Sequence, residues 1–247
     1  MGGALLQRWY AAGLRDVTVI DPAPAMVPSG IAAGSTPPDG VGPDVLVIAV
    51  KPQLFTAVAT PLALRLRSDT LVVTVMAGVG AAAVSAAFGG SAVVRTMPNT
   101  PARLGQGITG LFGWRASAAQ VAVAEALMAA AGACVWLDRE DDFDAVTALS
   151  GSGPAYVFAF VEALAAAGIV AGLSPALAAT LAQRTVTGAA ALLGEPGATP
   201  AALRAAVTSP GGTTAAGLDV LQSDLPELLR ATVAAAQSRS RALGRLE

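Results

Sequence analysis

Five short runs of this chain combine residue types that can hold an anion or a polar ligand. The richest is Val207-Thr208-Ser209-Pro210-Gly211-Gly212-Thr213-Thr214, leading into Ala215-Ala216-Gly217-Leu218. Two glycines and two threonines at the mouth of a helix make a cradle of free N–H groups with hydroxyls beside them, which suits a small carboxylate. A capping threonine would explain one hydroxyl but not the whole run. The second run is Val47-Ile48-Ala49-Val50-Lys51-Pro52-Gln53, an apolar strand ending in the one lysine of the chain. Ligands of α/β sheets sit at the carboxyl ends of parallel strands, so Lys51 is a candidate contact for a cofactor or a carboxylate. A surface lysine opening a loop is the equal alternative. In the third run, Val94-Arg95-Thr96-Met97-Pro98-Asn99-Thr100-Pro101, the Asn99 amide could serve a nicotinamide or a ribose, although Asn and Pro are also ordinary turn residues.

The fourth run, Leu149-Ser150-Gly151-Ser152-Gly153-Pro154-Ala155-Tyr156, predicts small residues feeding a helix with Pro154 in its first turn and its backbone amides open. It is no nucleophile elbow, because that motif needs a preceding strand and a histidine partner. The fifth opens the chain. Met1-Gly2-Gly3-Ala4-Leu5-Leu6 looks like the end of a Gly-x-Gly-x-x-Gly dinucleotide turn and the helix after it. Asp21 ends the next strand 19 residues after Gly2, near the spacing of an acid that bonds a ribose hydroxyl. A plain turn residue before Pro22 is the other reading.

Composition removes several alternatives. The 247 residues include no histidine and one cysteine, Cys134, so a Ser-His-Asp triad, a Cys-His pair and an ordinary zinc site are excluded. Fifteen basic against 17 acidic residues leave no footprint for nucleic acid. One thiol forms no internal disulfide, which fits a reducing compartment. The mean hydropathy of +0.61 raises the question of a membrane. Two long uncharged stretches, 70–94 and 163–183, are however interrupted by glycines or by Gly172-Leu173-Ser174-Pro175, and each piece reads as too short to span. MGGALLQRW lacks the basic and apolar regions of a signal peptide, so the sequence predicts a cytoplasmic protein.

The elements that must position these runs alternate in type. A helix is predicted over 2–12, then strands at 16–20, 44–50, 71–76, 92–96, 107–111 and 134–137, with a helix over 117–131. Strands apolar at consecutive positions and separated by helices indicate a mostly parallel, doubly wound sheet covered on both faces. The Pro/Gly/Ala-rich run 22–43 reads as a mobile loop or a poorly formed helix. After about residue 140 only helices are predicted, over 154–171, 175–193, 200–207, 212–222 and 226–243. They are poor in charge on every side, which predicts burial against one another or a second subunit.

Together the strings MGGALL (1–6), VIAVKPQ (47–53), VRTMPNTPA (94–102), FDAVTALSGSGPAYVF (143–158) and VTSPGGTTAAGL (207–218) resemble the pyrroline-5-carboxylate reductase family. The resemblance spans essentially the whole chain. It implies an α/β fold: a Rossmann-type doubly wound, mostly parallel sheet over 1–140, with its first strand missing, followed by an all-α C-terminal domain over 141–247 for substrate binding and dimerisation. The reaction implied is hydride transfer from NADPH or NADH to the C=N carbon of 1-pyrroline-5-carboxylate, giving L-proline in a homodimer or higher homo-oligomer. No metal, nucleic acid or membrane partner is implied. An imine nitrogen is basic enough to be protonated in solution, so the absence of histidine is no obstacle.

Carried over by position, the amides of Gly211, Gly212 and Thr213 beside Ser209 hold the substrate carboxylate, and Thr214 places its hydroxyl on the ring nitrogen as the catalytic group. Val50, Lys51, Pro52 and Asn99 line the cofactor side with Gly2 and Asp21, while Ser150 and Ser152 stand near the domain junction on the substrate side. Asp21 would repel a 2′-phosphate, and no Arg or Lys follows it before Asp44, which favours NADH where the family commonly uses NADPH. The departure from the family is at the start, where the strand and Gly-x-Gly preceding MGGALL are absent. A start assigned at an internal Met and a truncated remnant would each account for this, and the second makes a non-catalytic helical dimer without cofactor the rival reading. A β-hydroxyacid-type dehydrogenase is disfavoured, since those use a lysine in the helical region and no lysine follows Lys51.

Overall fold

Leu5, Leu6 and Trp9 fall on one side of helix α1 (Gly2–Ala11), and that side is buried. Gly13 follows with φ +98°, a left-handed geometry that ends the helix where the sequence places its stop. Next comes β1 (Thr18–Ile20), which pairs in parallel with β2 (Ala32–Gly34). The sequence predicts no strand in 22–43. Ala32-Ala33-Gly34 has no β-forming signal of its own, and its extended form comes from the backbone ladder with β1. The computed structural model describes residues 1–24, 27–38, 40 and 42–244, so residues 25, 26, 39 and 41 of that segment lie outside the described residues.

A second sheet has the order β3 (Val45–Ile48), β4 (Leu71–Thr74), β5 (Val93–Pro98), β6 (Gly107–Trp114), β7 (Gly132–Trp136). All neighbours are parallel except β5 and β6. Helices α2 (Phe55–Ala63), α3 (Ala81–Ala87) and α4 (Ala118–Ala129) connect the strands, and Ser117 with Gln120 forms a capping box at the start of α4. Alternation along β4 shows why both faces are apolar. Leu71 and Val73 join Leu5, Leu6, Trp9, Leu111 and Met128 in one cluster, and Val72 joins Ile48, Leu62, Val84 and Val93 in another. A single sheet is the expectation, but β1 and β3 are not hydrogen-bonded to each other. Val19 of β1 and Val45 and Val47 of β3 nevertheless pack on the same cluster as α1.

From Glu140 the described chain is helical. A 3-10 turn (Glu140–Asp142) leads into α5 (Phe143–Val146), a π turn (Thr147–Gly151) and α6 (Gly153–Val170). The small residues 150–153 therefore do not open a fresh helix; the chain enters α6 already coiled, and the Ser152 amide donates to Thr147 O at 2.8 Å. Because the coil continues, Glu140–Val170 is long and apolar enough to cross a membrane by length and composition, unlike the shorter pieces the sequence predicts. The break at Gly172 holds, with φ +101°, and Ser174 Oγ caps α7 (Pro175–Leu193) by accepting from Leu177 N. Helices α8 (Pro200–Ala206) and α9 (Thr213–Gly244) complete the chain. Two helices are predicted where α9 is one, running through Pro226. Proline removes the donor for Gln222 O, but both residues are exposed, so water can satisfy that carbonyl and the Leu- and Ala-rich flanks propagate the coil.

The chain forms two compact units. One contains residues from Met1 to Ser152 and the end of the chain from Ala235; the other is Gly153–Ala234. Within the first, Ser240 Oγ near the end of α9 donates to Asp144 Oδ1 at 2.6 Å. Within the second, among the described residues, only Ala178 and Ala182 are fully buried. A Cβ on Gly168 of α6 would come within 3.2 Å of Ala178 Cβ, so α7 crosses α6 closely there.

Candidate active site

In the first unit the end of β3 and the start of α1 meet. A Cβ on Gly2 would lie 2.9 Å from Ala49 Cβ, so only glycine lets α1 begin against this strand end. Val50, Lys51 and Pro52 follow directly, and a 3-10 turn over Pro52–Leu54 closes with Leu54 N donating to Lys51 O at 2.9 Å. The start of α1 has no side-chain cap and no acid in its first turn, which leaves its leading N–H groups for an anion. A cradle that a Cβ would fill, beside uncapped amides and a lysine, fits the phosphates of a dinucleotide. Asp21 lies just past β1, exposed, and its Oδ1 accepts from Ala23 N at 2.8 Å, which steadies the carboxylate.

At the carboxyl ends of β4 and β5 the side chains turn inward. Thr96 Oγ1 donates to Thr74 O at 3.0 Å, and Met76 N donates to Thr74 Oγ1 at 3.2 Å. The loop after β4 is held from a distance. Glu140 Oε1 accepts from Ala81 N at 2.6 Å, at the start of α3, and from Arg95 Nη1 at 2.9 Å. Arg95 is 7% exposed and lies 4.2 Å above the Phe143 ring, with its Nε lacking a hydrogen-bond partner. The sequence points to neither residue as a pair, because 45 positions separate them. The available signal was an arginine inside an otherwise apolar strand, since a buried charge requires a partner. Asn99 just beyond β5 accepts from Ile108 N through Oδ1 at 3.0 Å and donates from Nδ2 to Ser150 O at 3.2 Å. Ser150 Oγ in turn donates to Val146 O at 2.9 Å.

In the second unit the run 208–214 forms the turn into α9. Gly211 has φ +69°, and Gly212 N donates to Ser209 O at 3.1 Å. A Cβ on Gly212 would come within 2.5 Å of Ser209 Oγ and 3.1 Å of Ser209 O, so a side chain there would push the Ser209 hydroxyl aside. Thr213 and Thr214 are the first residues of α9, where N–H groups have no acceptor within the helix. The structure thus gathers Gly2, Val50, Lys51 and Pro52 around one strand end and joins Asn99 to Ser150. Ser152 follows the same turn as Ser150, Asp21 stands at the end of β1, and Ser209 to Thr214 share the turn in the second unit. No cluster of three or more metal-binding side chains occurs among the described residues. The Cys134 thiol is pushed up in pKa by burial and by nearby Glu125, which makes it a poor nucleophile.

A doubly wound sheet with a cradle at its strand ends, followed by helices with almost nothing buried, is the plan of a nucleotide-dependent oxidoreductase that dimerises through its helices. Residues 140–243 match pyrroline-5-carboxylate reductase dimerisation. The chain is 44% identical over 200 residues to the pyrroline-5-carboxylate reductase of Pseudomonas aeruginosa, covering 80% of this chain and 73% of that one. It is 42% identical over 203 residues to the enzyme of Arabidopsis thaliana, covering 81% and 73%. Among solved structures, the pyrroline-5-carboxylate reductase of Coxiella burnetii superposes with a TM-score of 0.90 at 33% identity, over 98% of this chain and 94% of that one. The NADP-bound pyrroline carboxylate reductase of Plasmodium falciparum gives 0.82 at 26% identity, over 99% and 94%. The chain belongs to the pyrroline-5-carboxylate reductase family.

Proposed function

We propose that this chain reduces the C=N bond of 1-pyrroline-5-carboxylate to give L-proline, using NADPH or NADH. The observation that carries this reading is the turn from Ser209 to Thr214. A glycine packed against Ser209 and two threonines opening α9 put free N–H groups and hydroxyls at one helix mouth, which suits a carboxylate held next to a ring nitrogen. The bound reduced nicotinamide supplies the hydride. The Gly211 and Thr213 amides and the Ser209 hydroxyl hold the substrate carboxylate; the Gly212 amide, expected to join them, is already donated to Ser209 O. Thr214 directs its hydroxyl to the imine nitrogen and orients the C=N bond. Alignment is the protein's main contribution, because the hydride chemistry belongs to the cofactor.

On the cofactor side, Gly2 and the leading amides of α1 meet phosphate, with Val50, Lys51 and Pro52 beside them; Asn99, expected there too, has both ends of its amide committed to Ile108 N and Ser150 O and supports this side without touching the cofactor. Asp21 takes the adenosine ribose and disfavours a 2′-phosphate, so NADH is the better reductant. Ser150 and Ser152 belong to the substrate side. Residues 1–140 act as the cofactor domain and 141–247 as the substrate and dimerisation domain. A second copy of the chain covers the exposed apolar faces of α6, α7 and α9, including the run from Glu140 to Val170. The single thiol and the reaction itself suit the cytoplasm.

Imine-dependent oxidation of NADPH and NADH tests the assignment. Thr214→Ala should lose about ten- to a hundred-fold in kcat/KM, the worth of one hydrogen bond to a charged group. Parental kinetics in that variant would remove Thr214 from the reaction.

A further inference from the structure

Pro154 has no N–H, so the carbonyl four residues earlier, Ser150 O, lacks its ordinary helical donor. Asn99 Nδ2 reaches that oxygen at 3.2 Å from the far end of β5. The other end of the same amide is also committed. The register of β5 with β6 ends at Pro98 opposite Thr109, and one step further Ile108 N donates to Asn99 Oδ1 at 3.0 Å. Reversing the amide would face donor with donor and acceptor with acceptor, so its orientation is set by both partners. Asn99 is 9% exposed, which makes an unsatisfied partner costly.

The turn that Asn99 grips is a π turn, with Ser152 N donating to Thr147 O rather than one residue later. Such turns are rare and place side chains where an α-helix would not. Here the turn carries Ser150 and ends at Ser152, and it lies against β5: a Cβ on Gly151 would be 3.9 Å from Met97 Sδ. We propose that Asn99 is a positioning residue, whose Nδ2–H stands in for the N–H that Pro154 cannot provide and holds the Ser150–Ser152 turn against the end of β5. Asn99 acts on the reaction through that turn and not by touching the cofactor. Its kinetic consequence rests on the proposed reaction; the contact itself does not.

The test uses the full chain as parent, Asn99→Ala, Pro154→Ala and the double variant. Pro154→Ala supplies a helical N–H to Ser150 O, while the loss at Ile108 N is common to both backgrounds and cancels between them. Amide hydrogen exchange at Gly151 and Ser152, the NADPH dissociation constant and kcat/KM for the imine are measured in all four. Asn99→Ala should speed exchange and lower kcat/KM about tenfold each, with the NADPH dissociation constant changed less than about twofold. Pro154→Ala should match the parent, and the double variant should return to within about threefold of it. Equal losses in both backgrounds, with weaker NADPH binding, would show direct contact with the cofactor and overturn the proposal. Coupling in exchange but none in kcat/KM would reduce Asn99 to a structural contact and overturn it as well. A parent that does not reduce the imine overturns the assigned reaction instead, and exchange still decides whether Asn99 holds the turn.

Discussion

The sheet unit and the helical unit solve the same problem of burying apolar residues in opposite ways. On β4 every side chain is buried, and clusters on both faces of the sheet include Leu71, Val72, Val73 and Val94. Helices α6, α8 and α9 contain no buried residue at all, and Phe158 on α6 is 63% exposed. A chain that is apolar in both regions thus completes its core in one and leaves it open in the other. The first region closes its core clusters within itself. The second needs a partner surface, because helices apolar on all sides persist only when covered.

The largest effect that sharpens this contrast should come from Glu140. Glu140→Ala leaves Arg95 buried over Phe143 without its carboxylate and frees the Ala81 amide. Leaving the buried Arg95 without its half-buried partner should cost about 3 kcal/mol in urea unfolding, while replacing both partners, Glu140→Leu with Arg95→Met, should regain part of it, the Ala81 amide staying unpaired. A loss equal in single and double variants would show that the pair is not what organises the sheet unit.

Next in size is a charge on the open helices. Phe158→Asp should weaken self-association at least about a hundredfold by sedimentation, about 2.7 kcal/mol. The same change at Leu64, 91% exposed at the end of α2, should leave mass unchanged and stability within about 0.5 kcal/mol. If both substitutions behave alike, exposure in the two units means the same thing and the contrast fails. The smallest effect concerns local structure in the sheet unit. Ser117→Ala removes the capping box of α4 and should cost about 1 kcal/mol in thermal or urea unfolding, with no change in association.

Local signals located much of this molecule. Gly13 stops α1, Ser174 and Pro175 open α7, and the apolar runs of β3, β4 and β5 fall where their composition predicts. The candidate residues Gly2, Lys51, Ser209 and Gly212 sit at strand ends and helix mouths as their neighbours suggest. Other features had no local signal. β2 is a strand because β1 lies beside it, and α9 passes Pro226 because the carbonyl it orphans faces water. The residues around Pro154 read as a helix start, yet a donor from Asn99, 51 positions away from Ser150, lets the coil run through them.

By itself the sequence determined the alternation of strands and helices up to about residue 140, the helical run after it, the lack of histidine, and the family, because these depend on residue type and short spacing. Only the tertiary structure decided that Arg95 and Glu140 are one unit, that the Asn99 amide is held at both ends, and that one apolar region closes on itself while the other stays open. Each of these depends on a donor meeting an acceptor, or a surface meeting its cover, across a separation in the chain that no local pattern encodes.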